Sequence, residues 1–307
     1  MILSCGEALI DMLPRTTSAG EAAFAPHAGG AVFNTAIALG RLGAPSGFFS
    51  GLSTDLFGEV LTESLTASKV DSSLAARSGR PTTLAFVKLV KGQATYAFYD
   101  ENTAGRLLSA GDLPVLPPSV DALFFGGISL VNDPAASAYE ALLTREAAAR
   151  VIMIDPNIRP GFITDQPVYR ARIARMMALA DIVKLSDEDL VWLEGEGDTA
   201  ALAHGLIAKG PKIVCITEGA KGATAFTATE TVSVAARQVE VADTVGAGDT
   251  FNAGVLAALH QRGALSKAAV AGADRALLEA ALSLGVRAAA VTVSRAGANP
   301  PWAHELA

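Results

Sequence analysis

The segment DTVGAGDTFNAG occupies residues 243–254, and the apolar stretch VLAALH follows it directly. Gly246, Ala247 and Gly248 are small, so the backbone N–H groups of this turn can crowd around an anion. A helix that begins at the turn adds partial positive charge at its N-terminus. The segment therefore predicts a phosphate-binding turn at the start of a helix.

Asp249 stands at the lip of that turn. A phosphate repels a neighbouring carboxylate, so a catalytic role accounts for this residue better than a purely structural one. In-line phosphoryl transfer to an alcohol needs a base at the hydroxyl, and a carboxylate can accept that proton. The residues alone leave two interpretations open, because Asp249 could be a general base or a helix cap.

Outward from this segment, short β-branched or aromatic runs alternate with alanine-rich helical stretches. Parallel strands joined by helical crossovers give this alternation, which predicts an α/β fold with a central, mostly parallel sheet and helices on both faces. Near-continuous apolar runs predict buried strands at 122–127, 150–156, 180–185 and 212–217. The stretches near them predict helices at 134–149, 165–179 and 186–194.

The stretch at residues 82–100 breaks this alternation. Its apolar and polar residues alternate around a Lys-Gly-Gln turn, which predicts an antiparallel hairpin with one covered face. Residues 12–27 are also extended and punctuated by proline, so we expect the two stretches to form a small β-sheet lid on a single domain, 1–307. Tyr96 and Phe98 share one face of the hairpin, where they either cover the reaction or belong to the lid core or a dimer contact.

Charge and hydropathy narrow the class of protein. A net charge of -7 gives no electrostatic reason to bind nucleic acid. Mean hydropathy is +0.36, but charged residues, glycine or proline break every long apolar stretch well before the ~18 residues that a membrane span needs. The start MILSCGEALID lacks a basic segment and predicts a first strand, so we expect a cytoplasmic protein without a membrane partner.

The cysteine and histidine residues do not have the spacing of metal ligands. Cys5 and Cys215 lie in apolar runs without Cys-x-x-Cys spacing, which predicts free buried thiols. The histidines are scattered without ligand spacing. The sequence therefore implies no transition metal.

Two motifs, in order along the chain, resemble those of one enzyme family. DTVGAGDTFNAG resembles the C-terminal signature of the ribokinase-like (PfkB-type) sugar kinases, and AGGAVFNTAIALGRLG at 28–43 resembles their N-terminal one. The likeness extends over essentially the whole chain, through GEALIDMLP, DPNIRP, TEGAKGA and GANPP. With YAFYDENTAGRLL at 96–108, the chain is most similar to bacterial fructokinases within that family.

This resemblance implies transfer of a phosphoryl group from ATP to the C6 hydroxyl of fructose, with Mg²⁺ as the partner of ATP. Asp249 would be the base, and the amides of Gly246, Ala247, Gly248 and Asp249 would form the anion hole. The chain has no GxxxxGK[ST] P-loop, so the phosphate cradle must lie elsewhere, which fits this turn.

The resemblance also implies residues that contact the sugar: Asp11, Gly29, Gly30 and Asn34. Asn157 and Arg159 are further candidates, because they follow the predicted strand at 150–156 at the edge where open α/β sheets bind ligands, and so are Tyr96 and Phe98 on the hairpin. An ionised Asp11 can accept two hydroxyl hydrogen bonds, and an Asn34 amide both donates and accepts. Gly29 and Gly30 would allow close backbone approach, although plain turn chemistry before a helix is an alternative. Arg159 would stabilise phosphoryl oxygens or a sugar hydroxyl, unless it only forms a surface ion pair.

On the nucleotide side, the resemblance implies Lys184, Thr217, Glu218, Gly219 and Gly222, together with Gly246 and Gly248. The family often carries an Asn-x-x-Glu motif near Mg²⁺, and Ser186 and Asp189 stand there in this chain. Asp187, Glu188 and Asp189 are therefore candidates to approach the metal through water, or ordinary partners of a helix dipole. Loop carbonyls near Asp243, Val245 and Gly297 are a family possibility for a monovalent cation such as K⁺.

Three other functions are alternatives to a fructokinase. A 2-keto-3-deoxygluconate kinase, or another sugar or nucleoside kinase on the same scaffold, would share Asp249 and differ in the sugar pocket. A non-catalytic sugar or nucleotide sensor would keep the fold and lose turnover. A Rossmann dehydrogenase is disfavoured, because no strand is followed by GxGxxG with an acidic residue ~20 positions on. We expect a sugar and ATP as ligands and a homodimer formed through the lid.

Overall fold

A computed structural model describes the chain at residues 1–90 and 93–306, and the side chains of residues 88–96 lie outside that description. The centre of the predicted Lys-Gly-Gln turn and the side chain of Tyr96 therefore lie outside the described part. The strands are β1 (Ile2–Cys5), β2 (Leu9–Thr16), β3 (Ala22–Gly29), β4 (Ser46–Phe49), β5 (Gly51–Ser53), β6 (Val70–Asp71), β7 (Ala76–Ser78), β8 (Leu84–Val90), β9 (Gln93–Tyr99), β10 (Ala122–Gly126), β11 (Val151–Asp155), β12 (Ile182–Ser186), β13 (Ile213–Thr217), β14 (Ala223–Phe226) and β15 (Thr231–Val234).

The helices are α1 (Ala31–Arg41), α2 (Leu56–Ala67), α3 (Ala135–Glu146), α4 (Gln166–Leu179), α5 (Asp187–Glu194), α6 (Thr199–Ile207), α7 (Ala247–Gln261), α8 (Lys267–Ala271) and α9 (Arg275–Val293). Short 3-10 turns lie at Ala110–Asp112, Gly127–Leu130, Pro160–Phe162, Gly219–Lys221 and Ala303–Leu306. Several helices begin at a residue whose side chain accepts a backbone N–H from the first turn, as Asp55, Asp165, Ser186, Asp198, Ser266 and Asp274 do.

The large sheet has the strand order β15-β14-β13-β12-β11-β10-β1-β4-β6. The pairs from β13 to β6 are parallel, and β14 and β15 add an antiparallel edge. Its central strands are apolar and buried on both faces, because α1, α2 and α7–α9 cover one face and α3–α6 cover the other. The predicted α/β class is confirmed, and Cys5 and Cys215 are buried free thiols in β1 and β13.

Helices α7 and α9 pack closely, because two glycines face each other at their crossing. A Cβ added to Gly254 would lie 2.5 Å from the Cα of Gly285. Thr292 Oγ1 donates to Thr250 Oγ1 at 2.9 Å nearby. Within the described residues α9 is the one helix long and apolar enough to cross a membrane by length and composition, and 44% of its most apolar window is buried.

A separate four-stranded sheet, in the order β3-β2-β8-β9, forms the predicted lid. Its first segment begins at Leu9 rather than at residue 12, because only the three residues Gly6 to Ala8 connect β1 to it. Asp11 therefore lies inside the lid strand β2, in register with Ala85 and His27. Since side chains alternate along a strand, Phe98, which pairs with Ala85, shares the face of Asp11.

Candidate active site

The carboxyl ends of β1, β10, β11, β12 and β13 meet at one edge of the large sheet. Helices α1 and α7 also begin at this edge, as the contacts of their first turns show. Open α/β sheets bind ligands outside the carboxyl ends of their strands. The predicted site residues that follow these strands are thereby brought to the same edge.

Asp249 lies in the first turn of α7 and is only 7% exposed. Asn34 Nδ2 of α1 donates to its Oδ2 at 2.8 Å. Burial raises the pKa of Asp249 to about 7; the hydrogen bond from Asn34 and the charge of Lys184 lower it, and Asp155 raises it. A carboxylate with a pKa near neutrality is suited to general-base catalysis.

Backbone amides of the turn that leads to Asp249 lack a protein acceptor within the described residues. Gly246 precedes α7 in the left-handed region, with φ 78°, and its own carbonyl accepts the N–H of Thr250 at 2.9 Å. Within the described chain, no protein group accepts the N–H of Gly248 or Asp249. Such free amides at a helix N-terminus form an anion site. The N–H of Ala247 makes only a long 3.4 Å contact with the Thr244 carbonyl.

Lys184 lies buried beside this anion site. A Cβ on Gly248 would be 3.1 Å from Lys184 Nζ, so the ammonium group approaches the turn. Nζ donates to Asp155 Oδ2 at 3.0 Å, and Asn252 Nδ2 donates to the same oxygen at 2.7 Å. Burial lowers the pKa of Lys184, but Asp155 and the carboxylates farther away outweigh burial and leave the pKa raised. The lysine is therefore a fixed cation at the turn.

Asp11 and the Gly29–Gly30 turn face each other on the other side. A Cβ on Gly29 would lie 2.4 Å from Asp11 Oδ2, so any larger residue there would displace the Asp11 carboxylate. Gly30 has φ 110°, a conformation that favours glycine. In the part of the chain that is described, no group donates a hydrogen bond to the Asp11 carboxylate, and burial raises its pKa to about 6. A half-buried carboxylate without a donor is suited to bind ligand hydroxyls.

Glu7 is a residue of this site that the sequence analysis did not single out. Its Oε1 accepts the N–H of Ala31 at 2.9 Å and its Oε2 accepts the N–H of Ser129 at 3.2 Å. It thus caps α1 and ties the sugar-side turn to the end of β10, and burial raises its pKa. Its place two residues after a buried strand was the available signal.

The residues after β11 lie at the same edge. Asn157 has φ 45°, and its N–H donates to Asp155 Oδ1 at 3.1 Å. Arg159 is exposed and donates to the Ile158 carbonyl; no ion pair holds it within the described residues. Phe98 of the lid packs edge-to-face on Phe162, with ring centroids 4.5 Å apart. The lid therefore contacts the loop that carries Arg159.

A cavity of about 360 Å³ opens beside the anion site. It includes Thr217, Gly219, Gly222, Ala247 and Gly248 in its lining, and apolar side chains of α9 and of the loop before α7 form much of the rest. This volume and character suit a nucleotide base and ribose. Glu218 is not part of the lining, and its carboxylate lies 3.4 Å from Lys221 Nζ.

The acidic residues at the start of α5 differ in whether their carboxylates already accept hydrogen bonds from the protein. Asp189 Oδ1 accepts the N–H of Ile158 and its Oδ2 accepts that of Ser186, so both oxygens serve the backbone. Glu188 is exposed. Among the described residues no cluster of three acidic, histidine or cysteine side chains could hold a metal alone. These residues fit Mg²⁺ only as a partner that arrives with phosphate and water ligands.

Asp243, Val245 and Gly297 lie close together in the structure. Asp243 Oδ1 accepts the N–H of Val245 at 3.0 Å, and Oδ2 accepts the N–H of Gly297 at 2.9 Å. The carboxylate thereby joins the loop before α7 to the C-terminal segment. A Cβ on Gly246 would lie 2.7 Å from Ala298 Cβ, so that segment also supports the anion turn.

Phosphoryl transfer to a small alcohol needs a base where an anion site meets a hydroxyl site. Gly248 lines the nucleotide-sized cavity, and Asn34, four residues after Gly30, holds Asp249. The fold and this site together define a small-molecule kinase. The chain belongs to the pfkB family of carbohydrate kinases, whose model matches residues 1–305.

Individual relatives agree with this family. The chain is 59% identical over 278 residues to a fructokinase from Rhizobium leguminosarum bv. trifolii, covering 91% of this chain and 85% of that protein. A fructokinase from Xylella fastidiosa, solved with bound ATP, superposes with a TM-score of 0.89 at 28% identity and covers 99% of this chain and 97% of its own.

A fructokinase double mutant from Vibrio cholerae is also similar in structure. It was solved with fructose, ADP and a potassium ion, and superposes with a TM-score of 0.84 at 25% identity. The match covers 97% of this chain and 93% of that chain. The ribokinase-like fold predicted from the two motifs is confirmed by these neighbours.

Proposed function

We propose that the protein is an ATP-dependent fructokinase that transfers the γ-phosphate of ATP to the C6 hydroxyl of fructose, with Asp249 as general base. The observation that carries the chemistry is the buried Asp249 carboxylate, held by Asn34 beside unpaired amides. The choice of fructose is supported by the 59% identical Rhizobium fructokinase. Within one kinase scaffold, small changes in a sugar pocket redirect specificity, so the sugar needs its own test.

The site residues divide the reaction between them. Asp11 and the Gly29–Gly30 turn orient the sugar, and Asp249 accepts the proton of the attacking hydroxyl. The amides of Gly248 and Asp249 stabilise charge on the phosphoryl oxygens, and Lys184 adds a fixed positive charge. Phe98 and the lid exclude water from the transfer, and Arg159 reaches toward the phosphoryl group or the sugar. These residue roles are proposals that rest on position.

Two cations complete the proposal. Mg²⁺ bound with ATP supplies positive charge at the phosphoryl oxygens, and exposed Glu188 would approach it through water. A K⁺ ion would use carbonyl oxygens of the loops that Asp243 joins, near Val245 and Gly297. Its role would be to hold the anion turn in shape. A cytoplasmic location stays a prediction.

A substrate panel tests the function. We expect ADP formation with MgATP to be fastest with fructose when fructose, 2-keto-3-deoxygluconate, ribose, glucose, tagatose 6-phosphate and adenosine are compared, and we expect the product to carry phosphate on C6. The same assay with EDTA, and with Na⁺ in place of K⁺, tests the two cations. If another acceptor is fastest, the fructose assignment is wrong while the base assignment stands. If none reacts, a sensor replaces the kinase.

An exposed apolar face of the lid supports a homodimer. The side chains opposite the Asp11 face include Phe24, Phe86 and Tyr99, whose rings stack edge-to-face at 5.0 and 5.4 Å. Phe24 is 48% exposed and Tyr99 is 63% exposed. An exposed sheet face of this kind is stabilised when a second copy covers it. We propose that two lids pack against each other in the dimer.

The lid dimer predicts a change in mass. The wild-type protein should elute with light-scattering mass near twice 31.4 kDa, and the double variant Phe24→Glu/Tyr99→Glu should have a mass near 31.4 kDa, because four carboxylates would meet in the interface. Val115→Glu is the matched control, since Val115 is 91% exposed away from the lid. A wild-type monomer at micromolar concentration, or a variant that stays dimeric, would refute the lid interface.

A further inference from the structure

The first turn of α1 holds Asp249 at two points. Asn34 Nδ2 donates to the Oδ2 of its carboxylate at 2.8 Å. Thr35 Oγ1 lies 3.2 Å from the backbone carbonyl of Asp249 and 3.0 Å from that of Ala31, so the two carbonyls share its single proton. The same turn starts directly after the Gly29–Gly30 turn, and Glu7 fixes its first amide, that of Ala31. One helical turn therefore connects the sugar turn to the base.

We infer that Asn34 is a positioning residue for the reaction: its side-chain amide holds one oxygen of Asp249, so that the other oxygen faces the hydroxyl of the sugar. The inference rests on the proposed role of Asp249 as base and adds a function for Asn34 beyond a sugar contact. With one N–H given to Asp249, the carbonyl oxygen and the second N–H of Asn34 remain for the sugar.

The charges around Asp249 explain why a neutral donor suits this position. Glu7 and Asp155 face the carboxylate with negative charge, Lys184 faces it with positive charge, and Asn34 is its hydrogen-bond donor. A cation at position 34 would keep Asp249 ionised and make it a weaker base. Burial, Glu7 and Asp155 raise the pKa of Asp249, and the hydrogen bond from Asn34 lowers it. Loss of this donor would therefore raise the pKa of Asp249 further.

A pH profile separates a positioning role from a sugar contact. For Asn34→Leu, which keeps similar bulk without a donor, we expect the acid limb of kcat/KM for fructose to move up by about one pH unit. The ratio of wild-type to Asn34→Leu kcat/KM should therefore fall several-fold between pH 7 and pH 9. Asn34→Asp puts a second carboxylate beside the base and should move the limb further in the same direction.

Thr35→Val is the matched control. It removes the hydroxyl that contacts the backbone carbonyls of Ala31 and Asp249 and leaves the Asp249 carboxylate untouched, so the acid limb should stay at its wild-type position whatever happens to the rate. Thermal melts establish that each variant is folded. An Asn34→Leu profile whose limb does not move, with only a higher KM for fructose, would overturn the inference. That result leaves the proposed function standing, which fails instead if Asp249→Asn keeps its activity.

Discussion

Replacement of Asp249 by asparagine should lower kcat for fructose phosphorylation by about a thousandfold, within the range that a general base contributes. The amide keeps the size of the carboxylate and can still accept the N–H of Asn34, so the anion turn should keep its shape. Because the chemical step loses its base while ligand contacts persist, we expect little change in the KM for ATP. Steady-state kinetics with both substrates measure this split.

The same substitution should raise thermal stability at pH 8. The pKa of Asp249 is raised to about 7 by burial, so the folded state disfavours the ionised form relative to the unfolded chain. This destabilisation is fully present above the folded pKa and disappears as the pH falls below the unfolded pKa of about 3.9. The gain in Tm of Asp249→Asn should therefore be largest above pH 7 and shrink toward pH 4.

Glu63→Gln is the control for charge removal, because Glu63 is an exposed residue of α2 and is not among the residues of the candidate active site. It should change neither kcat nor the pH dependence of Tm. An Asp249→Asn protein that melts normally but keeps a tenth or more of wild-type kcat would contradict the base assignment. A variant that loses both activity and Tm would instead indicate a structural role for the carboxylate.

The central strands were predictable because they are buried on both faces. The runs at 122–127, 150–156, 180–185 and 212–217 correspond within two residues to β10–β13. Burial on both faces of a parallel sheet leaves an uninterrupted apolar run in the sequence. The antiparallel edge of β14 and β15 was not predicted, since each strand has only four residues and threonine or serine interrupts its apolar pattern.

The anion turn and its base were also accessible from the sequence, because small residues and a carboxylate lie next to each other in one segment. The network around them was not. Asp155, Lys184 and Asn252 come from β11, β12 and α7, and only the strand order brings their side chains within 3.0 Å. Sequence spacing carries no information on such contacts until the topology is known.

Side-chain direction was a second limit. Asp189 has the residue type of a metal partner, yet its capping hydrogen bonds use both oxygens. Glu218 follows β13 at the ligand edge, but it pairs with Lys221 outside the cavity lining. Residue type and position along the chain predict which edge of the sheet a side chain lies near. The hydrogen bonds and ion pairs that the side chain makes there, which the sequence does not show, decide which groups it faces. The metal and nucleotide roles of these two residues stay predictions.

Replacement of Asp11 by asparagine should raise the KM for fructose about a hundredfold and leave ATP binding unchanged. Each hydrogen bond from a sugar hydroxyl to a carboxylate contributes about 1.5–3 kcal/mol, and two such bonds would be weakened. Asp11 lies on the lid strand β2, whereas the nucleotide cavity is lined by other elements. Isothermal titration with ATP and steady-state kinetics with fructose separate the two ligands.

The pH dependence of sugar binding provides a second readout. Burial raises the pKa of Asp11 to about 6, and the ionised form is the one that accepts two hydroxyl hydrogen bonds. Wild-type affinity for fructose should therefore fall as the pH drops through about 6, and Asp11→Asn should lose this dependence. His27→Gln, which changes the residue opposite Asp11 in β3 and leaves the Asp11 carboxylate in place, is the matched control and should keep the dependence. If the dependence disappears with His27 and persists without Asp11, the sugar role of Asp11 is wrong.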